Sequence, residues 1–292
     1  MLYTLYMKES FSHSHFDKIV GLPEESKGHE DELQQYVDML IENGSRFIKK
    51  FELEKTPRDI EIIDYVLEQV SAELEQLERN KEIPIEHESI HILKEGGTEE
   101  YTEGKLINGA NSTRLHSILV DRPKSDIEFA LIIFHELLHM KSYKALQYIA
   151  EEGEKGTLET YRSGFSVRSR DGKESHFDSA EEAVVGYLTR DFYNNHLKES
   201  VLFEEEFAEA EELGIEHNTS RTKEVAMFEK IADDLWEQNQ DKFESKDEIV
   251  SLFLNAHVNG KLLAVGRLIE STHGKGSFRE LGKGVNVLEK GE

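Results

Sequence analysis

Apolar positions recur with a helical period over both ends of this chain and with a strand-like period in its middle. Residues 1–29 show no sustained period, though His13 and His15 would share one face of a strand. From Glu30 the spacing turns helical, with Leu33, Val37, Leu40, Phe47 and Phe51 three, four or seven apart and Asn43-Gly44 as a break. Thr56, Pro57 and Asp59 then mark a helix start. The hydroxyl can accept from a free amide, proline has no amide to leave unpaired, and an acid suits the first turn. Ile60, Ile63, Leu67, Val70, Leu74 and Leu77 follow as a heptad-like seam, so residues 30–80 read as a helical hairpin or small bundle.

After Pro84 the period shortens to two. Ile85, His87, Ser89 and His91 alternate with Glu86, Glu88, Ile90 and Ile92, which predicts a strand over 85–93. A turn-rich loop or hairpin follows, then a second strand over 114–120. Ser125 with Glu128 forms a capping-box pattern ahead of an apolar helix predicted over 126–149. "TLETYRSGFSVRSRDGK" predicts a strand or hairpin, and Asp178 is placed to cap a helix over 180–197. The rest is helical: 199–213, 221–239, a helix capped by Ser245 and Glu248, a break at Asn259-Gly260, and a last helix to about 272. The pattern divides the chain into a mostly helical 1–82, a mixed 83–200 and a helical 201–292, an α+β protein.

Composition narrows the partners. Sixty acidic against 35 basic residues give a net charge of −25, which disfavours nucleic acid and anionic membranes. The absence of cysteine removes disulfides and thiolate metal sites, leaving His, Asp and Glu as ligands for any transition metal. The longest apolar run, "FALIIF", is too short to span a bilayer, and the first residues lack the pattern of a signal peptide. A cytoplasmic protein is the expectation.

The candidate chemistry lies in "FHELLHM", residues 134–140. His135 and His139 are four apart, so on a helix both imidazoles share one face and can hold one tetrahedral ion. Glu136 is displaced around the helix, where it can take a proton from a water on that ion. The apolar residues around the motif would exclude bulk solvent.

The motif and its surroundings resemble the zincin metallopeptidases over residues 83–197. In that fold a small sheet precedes the active-site helix, an edge strand lies above the zinc, and a downstream element supplies the third ligand. The resemblance implies Zn²⁺ as cofactor, peptide or protein as substrate, Glu136 as general base, and the 114–120 strand as the one that substrate joins. It is nearest to the gluzincins, because "FDSAEEAVVGYLT" is similar to their glutamate helix. Glu182 fits the ligand position best. Glu181 is the rival, and it would complete a capping box if Asp178 is the N-cap. The gluzincin pattern often has an aspartate four residues on, but here the position is Gly186; Asp191 or Asn194 would have to support the histidines. An oxyanion donor is expected among Tyr161, Arg162, His176 and Tyr187, with Tyr161 the first choice. Two other readings stay open: a zincin-like protein without catalysis, and a helical interaction module in which the motif is incidental.

Overall fold

In the computed structural model the described residues are 16–21, 48–77, 85–102, 104, 107–112, 116–149, 157–215, 217, 219 and 221–284. The helix expected from Glu30 lies mostly outside them, as do His13 and His15. The described chain is mixed α and β, as the alternation of periods predicts.

The first described helix, α1 (Pro57–Gln76), begins with the expected Thr56 cap. The Thr56 hydroxyl accepts from the Asp59 amide and the Asp59 carboxylate accepts from the Thr56 amide, so two donors are satisfied reciprocally. Its buried face is Ile62, Ile63, Val66, Val70 and Leu74, whereas Ile60 is exposed. The helix is therefore rotated slightly from the predicted seam: Ile62 and Val66 take the places given to Ile60 and Leu67.

Two sheets follow. The smaller has the order β2–β4–β3, from β2 (Ile90–Leu93), β3 (Gly109–Ser112) and β4 (Ser117–Asp121). β2 runs parallel to β4 and β3 antiparallel to it. The strand predicted over 85–93 is shorter, because His87–Ser89 form a 3₁₀ turn in which His87 meets Asp64. The strand predicted over 114–120 corresponds to β4, which is central. Its two edges are taken by β2 and β3, so it cannot accept an added substrate strand; β3 is one edge of the sheet, and β2, bridged to Glu52 through Leu93, is the other. A short helix, α2 (Gly97–Tyr101), joins β2 to β3.

The motif helix, α3 (Asp126–Lys141), starts at Ser125, whose hydroxyl accepts from the Glu128 amide. The reciprocal acceptor comes from far away: the Glu206 carboxylate accepts from the Ser125 hydroxyl and the Asp126 amide. The helix ends eight residues before the predicted limit of 149. Ser142 donates to the His139 carbonyl and the Tyr143 amide donates to the His257 carbonyl, which turns the chain out of the helix. Residues Lys144–Ile149 then form β5, paired with β1 (Lys18–Val20) and with β6 (Thr157–Ser163). Sheet pairing on both sides satisfies backbone groups that a continued helix would satisfy internally, and nothing local in the sequence separates the two. β7 (Ser166–Arg168) and β8 (Ser175–His176) complete this second sheet, so the hairpin expected in this stretch is present as β6–β7.

The remaining α-helices are α4 (Asp178–Phe192), α5 (Glu204–Leu213), α6 (Thr222–Glu237), α7 (Lys246–Asn259), α8 (Leu262–His273) and α9 (Ser277–Gly282). Asp178 is not the cap of α4. That position is Phe177, in the left-handed region at φ 66°, and the Asp178 carboxylate instead accepts from the Ser166 and Ser175 hydroxyls. One continuous hydrophobic cluster runs from Ile62 through Phe129, Val184 and Phe253 to Leu281. It crosses both predicted divisions, near 82 and 200, so the flanking helices and the mixed segment share one core. Among the described residues no helix is long and apolar enough to cross a membrane.

Candidate metal centre

The core fixes α3 and α4 side by side, and their facing turns bring three potential ligands together. His135 and His139 stand one turn apart on α3, their rings 4.8 Å apart and nearly perpendicular. Their Nε2 atoms are 3.2 Å apart. Glu182, in the first turns of α4, places Oε2 3.4 Å from His135 Nε2 and Oε1 3.6 Å from His139 Nε2. The ligand atoms of these residues lie within 4.8 Å of one another, so the cluster can hold a metal ion. Tetrahedral coordination at about 2.0–2.1 Å separates neighbouring ligand atoms by about 3.3 Å, close to these distances.

Hydrogen bonding at the far side of each ring turns its Nε2 lone pair inward. The Thr189 hydroxyl donates to the Val185 carbonyl, so towards His135 Nδ1, 3.3 Å away, it can only accept. His135 Nδ1 is then the protonated nitrogen. His139 Nδ1 donates to Glu181 Oε1 at 2.9 Å. Rings held this way turn both Nε2 atoms towards each other, beside two carboxylate oxygens. Such a cluster suits a cation. The electrostatics agree: burial pushes the His139 pKa down, but the Glu181 hydrogen bond and the charges of Glu181, Glu182 and Glu136 outweigh it and raise the value. For Glu182, burial acts upward and is outweighed by the neighbouring His135 and His139 imidazoles and the Arg221 guanidinium, holding it at about 2. Glu182 Oε2 is buried and makes no hydrogen bond; Arg221 Nε stands 2.8 Å from it as an ion pair only. The residues present fit a cation.

Glu181 is not a capping-box residue, because the cap lies at Phe177. It is buried and spans three donors: His139 Nδ1, His257 Nδ1 at 3.0 Å and the Phe165 amide at 2.8 Å. Burial would raise its pKa, but the His257 charge and the hydrogen bonds from both histidines lower it. Gly164, at φ +56°, makes room for it: a Cβ there would stand 2.2 Å from Glu181 Oε2.

Beside the cluster a cleft of about 390 Å³ exposes His135 and Glu136. Its other walls include Gly109 on β3, Thr189 on α4, and Arg221, which immediately precedes α6. Glu136 is largely buried, and its Oε2 accepts from Asn111 Nδ2 on β3 at 3.1 Å. A Cβ at Gly109 would stand 2.5 Å from Ile132 and 3.3 Å from Glu136, so the edge strand lies directly against the motif helix.

The expected auxiliary residues are elsewhere. Tyr161 is the extra residue at a bulge in β6, between the pairs Leu146–Thr160 and Ala145–Arg162, and it does not line the cleft. The Arg162 guanidinium donates to the carbonyls of Gly164, Ala256 and Gly260, closing the end of α7. His176 pairs with Glu174, and Tyr187 packs edge-on against Phe228. Asp191 and Asn194 accept from Asn195 and Lys198 rather than from the histidines. Thr189 does that work for His135, and its seven-residue distance from Glu182 on one helix was the available signal. His257, Asn111 and Arg221 carry no local pattern that marks them. No protein-family model matches the chain, and neither a curated protein nor a solved structure matches it.

Proposed function

We propose that the protein is a zinc-dependent hydrolase that cleaves peptide bonds. The convergence of His135, His139 and Glu182, with Glu136 in the adjoining cleft, carries this reading. Two imidazoles and one carboxylate, with no thiolate in the chain, suit zinc and leave a coordination position open for chemistry. When bound, the ion would supply Lewis-acid polarisation. Glu136 then takes the proton of the attacking water as its oxygen bonds to the carbonyl carbon, and gives that proton to the amine as the carbon–nitrogen bond breaks. Asn111 holds the Glu136 carboxylate towards the cleft. Further support for a zincin-like core comes from β3, an antiparallel edge strand lying against the motif helix. Substrate would extend this sheet along β3 rather than β4. The reading takes the setting to be the cytoplasm and the substrate to be peptide or protein.

Metal analysis of the untagged chain with a peptide-library digest tests the reading. We expect close to one zinc per chain, and cleavage that Glu136→Gln abolishes while zinc is retained, because an amide cannot accept the proton. Failure to bind stoichiometric zinc would overturn the metal centre. Full occupancy without cleavage would leave a zincin-like binding module.

A further inference from the structure

An attack on a carbonyl places negative charge on its oxygen, and the residues expected to meet that charge do not reach the cleft. Arg221 does. It is the only lysine or arginine among the described residues that line the cleft. Its guanidinium stands with Nε 2.8 Å from Glu182 Oε2, and its side chain is 45% exposed. Among the described residues this ion pair is the guanidinium's one polar contact, so its terminal nitrogens are free to meet a second anion at the same place.

Two backbone features put the arginine there. Arg221 itself occupies the left-handed region, with φ 54° and ψ 26°, directly before α6. A non-glycine residue there costs on the order of 1 kcal/mol, and such strain concentrates at functional sites. Four residues beyond Glu182, Gly186 lies beneath it. A Cβ at that position would stand 2.8 Å from Val225 and 3.1 Å from the Arg221 Cβ. The glycine where the gluzincin pattern often has aspartate is thus the residue that lets the start of α6 seat against α4.

We propose that Arg221 is a catalytic residue that neutralises the charge developing on the scissile carbonyl oxygen, which makes the cleft a site for substrates reacting through a tetrahedral oxyanion. The proposal rests on the hydrolase reading above. As the water oxygen bonds to carbon, the carbonyl π pair moves to oxygen and the water proton passes to Glu136. The guanidinium donates hydrogen bonds to that oxygen without losing a proton, since it stays charged throughout. When the carbon–nitrogen bond breaks, the pair returns to form the carbonyl and the proton leaves with the amine. The simpler role for Arg221 is to neutralise Glu182, and the two roles predict different losses.

The test uses the full chain and its Arg221→Met and Arg221→Lys variants. Each replaces one L-residue by another, so the backbone strain at 221 is common to all three. Cobalt affinity is measured first, by chelator competition, and then inorganic phosphate is titrated as a tetrahedral anion against the cobalt visible spectrum. We expect metal affinity within about threefold across the set. We expect phosphate binding at least about tenfold weaker in Arg221→Met, with Arg221→Lys between. On a peptide the wild type cleaves, kcat of Arg221→Met should fall about 10²–10³-fold with KM little changed. Undiminished phosphate affinity in metal-loaded Arg221→Met, or no response of the wild type to phosphate, overturns this inference and leaves the hydrolase reading standing. Loss of metal from Arg221→Met overturns it in favour of the neutralising role. A wild type that binds no metal overturns the hydrolase reading itself.

Discussion

Glu181 and His139 share a buried hydrogen bond of 2.9 Å, made on the side of the imidazole opposite the ligand cluster. The same carboxylate accepts from His257 on α7, so a helix near the end of the chain is joined through one side chain to the candidate metal centre. The carboxylate sets which nitrogen of His139 carries the proton, and with it which lone pair faces Glu182.

Glu181→Gln therefore tests more than helix stability. An amide can still accept from His139 through its oxygen, but its NH₂ would then face the donors on His257 and Phe165. We expect zinc affinity to fall about 10- to 100-fold and stability by about 1–3 kcal/mol, read by chelator competition and by urea unfolding. Glu182→Ala should differ in kind. It removes a ligand, and zinc should be lost outright while the variant unfolds near the midpoint of metal-free wild type. Unchanged zinc affinity in Glu181→Gln would reduce the buried bond to a packing feature.

Much of this arrangement was legible in the chain itself. The spacing of His135 and His139 and the apolar character of α3 are local signals, the resemblance of residues 177–189 to a glutamate helix favours Glu182 over its rival Glu181, and His135, His139 and Glu182 are the three that converge. Helix starts were legible wherever the cap is local, as at Thr56. The start at Ser125 was legible too, with only the second acceptor, Glu206, coming from a distant helix; at α4 the expected cap Asp178 gives way to Phe177. The helix overrun to 149 has a tertiary cause, since β5 exists through its partners β1 and β6. Glu181 and Arg221 illustrate the limit most clearly. Their roles depend on α7 and on the start of α6, and a periodic pattern carries no information about which distant helix packs where.

Acid should weaken the fold at a second, separate cluster. Arg122 bonds Asp59 at 2.8 Å and Asp126, and Arg58 also bonds Asp126 at 2.8 Å. Burial acts to raise the pKa of both aspartates. It is outweighed at Asp59 by hydrogen bonds from Thr56 and Arg122, and at Asp126 by those from Arg58 and Arg122, so both values are lowered. A carboxylate whose folded pKa is depressed contributes stability that is fully present above its unfolded value, about 3.9, and lost as pH falls through the folded one. Arg122→Met should thus be less stable than wild type at pH 6, and the gap should narrow below about pH 4. It should not close, because Arg122 also lies 4.2 Å from the centre of the Phe129 ring, a contact that does not titrate. Urea midpoints of both proteins across this range give the comparison, and parallel curves would rule out the aspartates as its source.

Gly164→Ala separates backbone strain from the candidate metal centre. Gly164 has φ +56° and Gly96 has φ +80°, so alanine is disfavoured at both by about 1 kcal/mol for the same backbone reason. Their surroundings differ. A Cβ at Gly96 meets nothing within 4 Å, whereas one at Gly164 would stand 2.2 Å and 2.6 Å from the two Glu181 oxygens and 2.6 Å from His257 Nδ1. Gly96→Ala therefore measures the strain alone. At Gly164 the methyl group must displace the carboxylate that holds His139, and both ends of that carboxylate are fixed in the core, so it cannot swing aside as a surface side chain would. Gly164→Ala should lower stability by clearly more than Gly96→Ala and should also weaken zinc binding, which Gly96→Ala should leave unchanged. Chelator competition on the two variants, with unfolding midpoints measured beside it, makes the distinction. If Gly164→Ala loses only the stability that Gly96→Ala loses and keeps its zinc affinity, the Glu181 carboxylate has room to move, and its grip on His139 is not what orients the ligand.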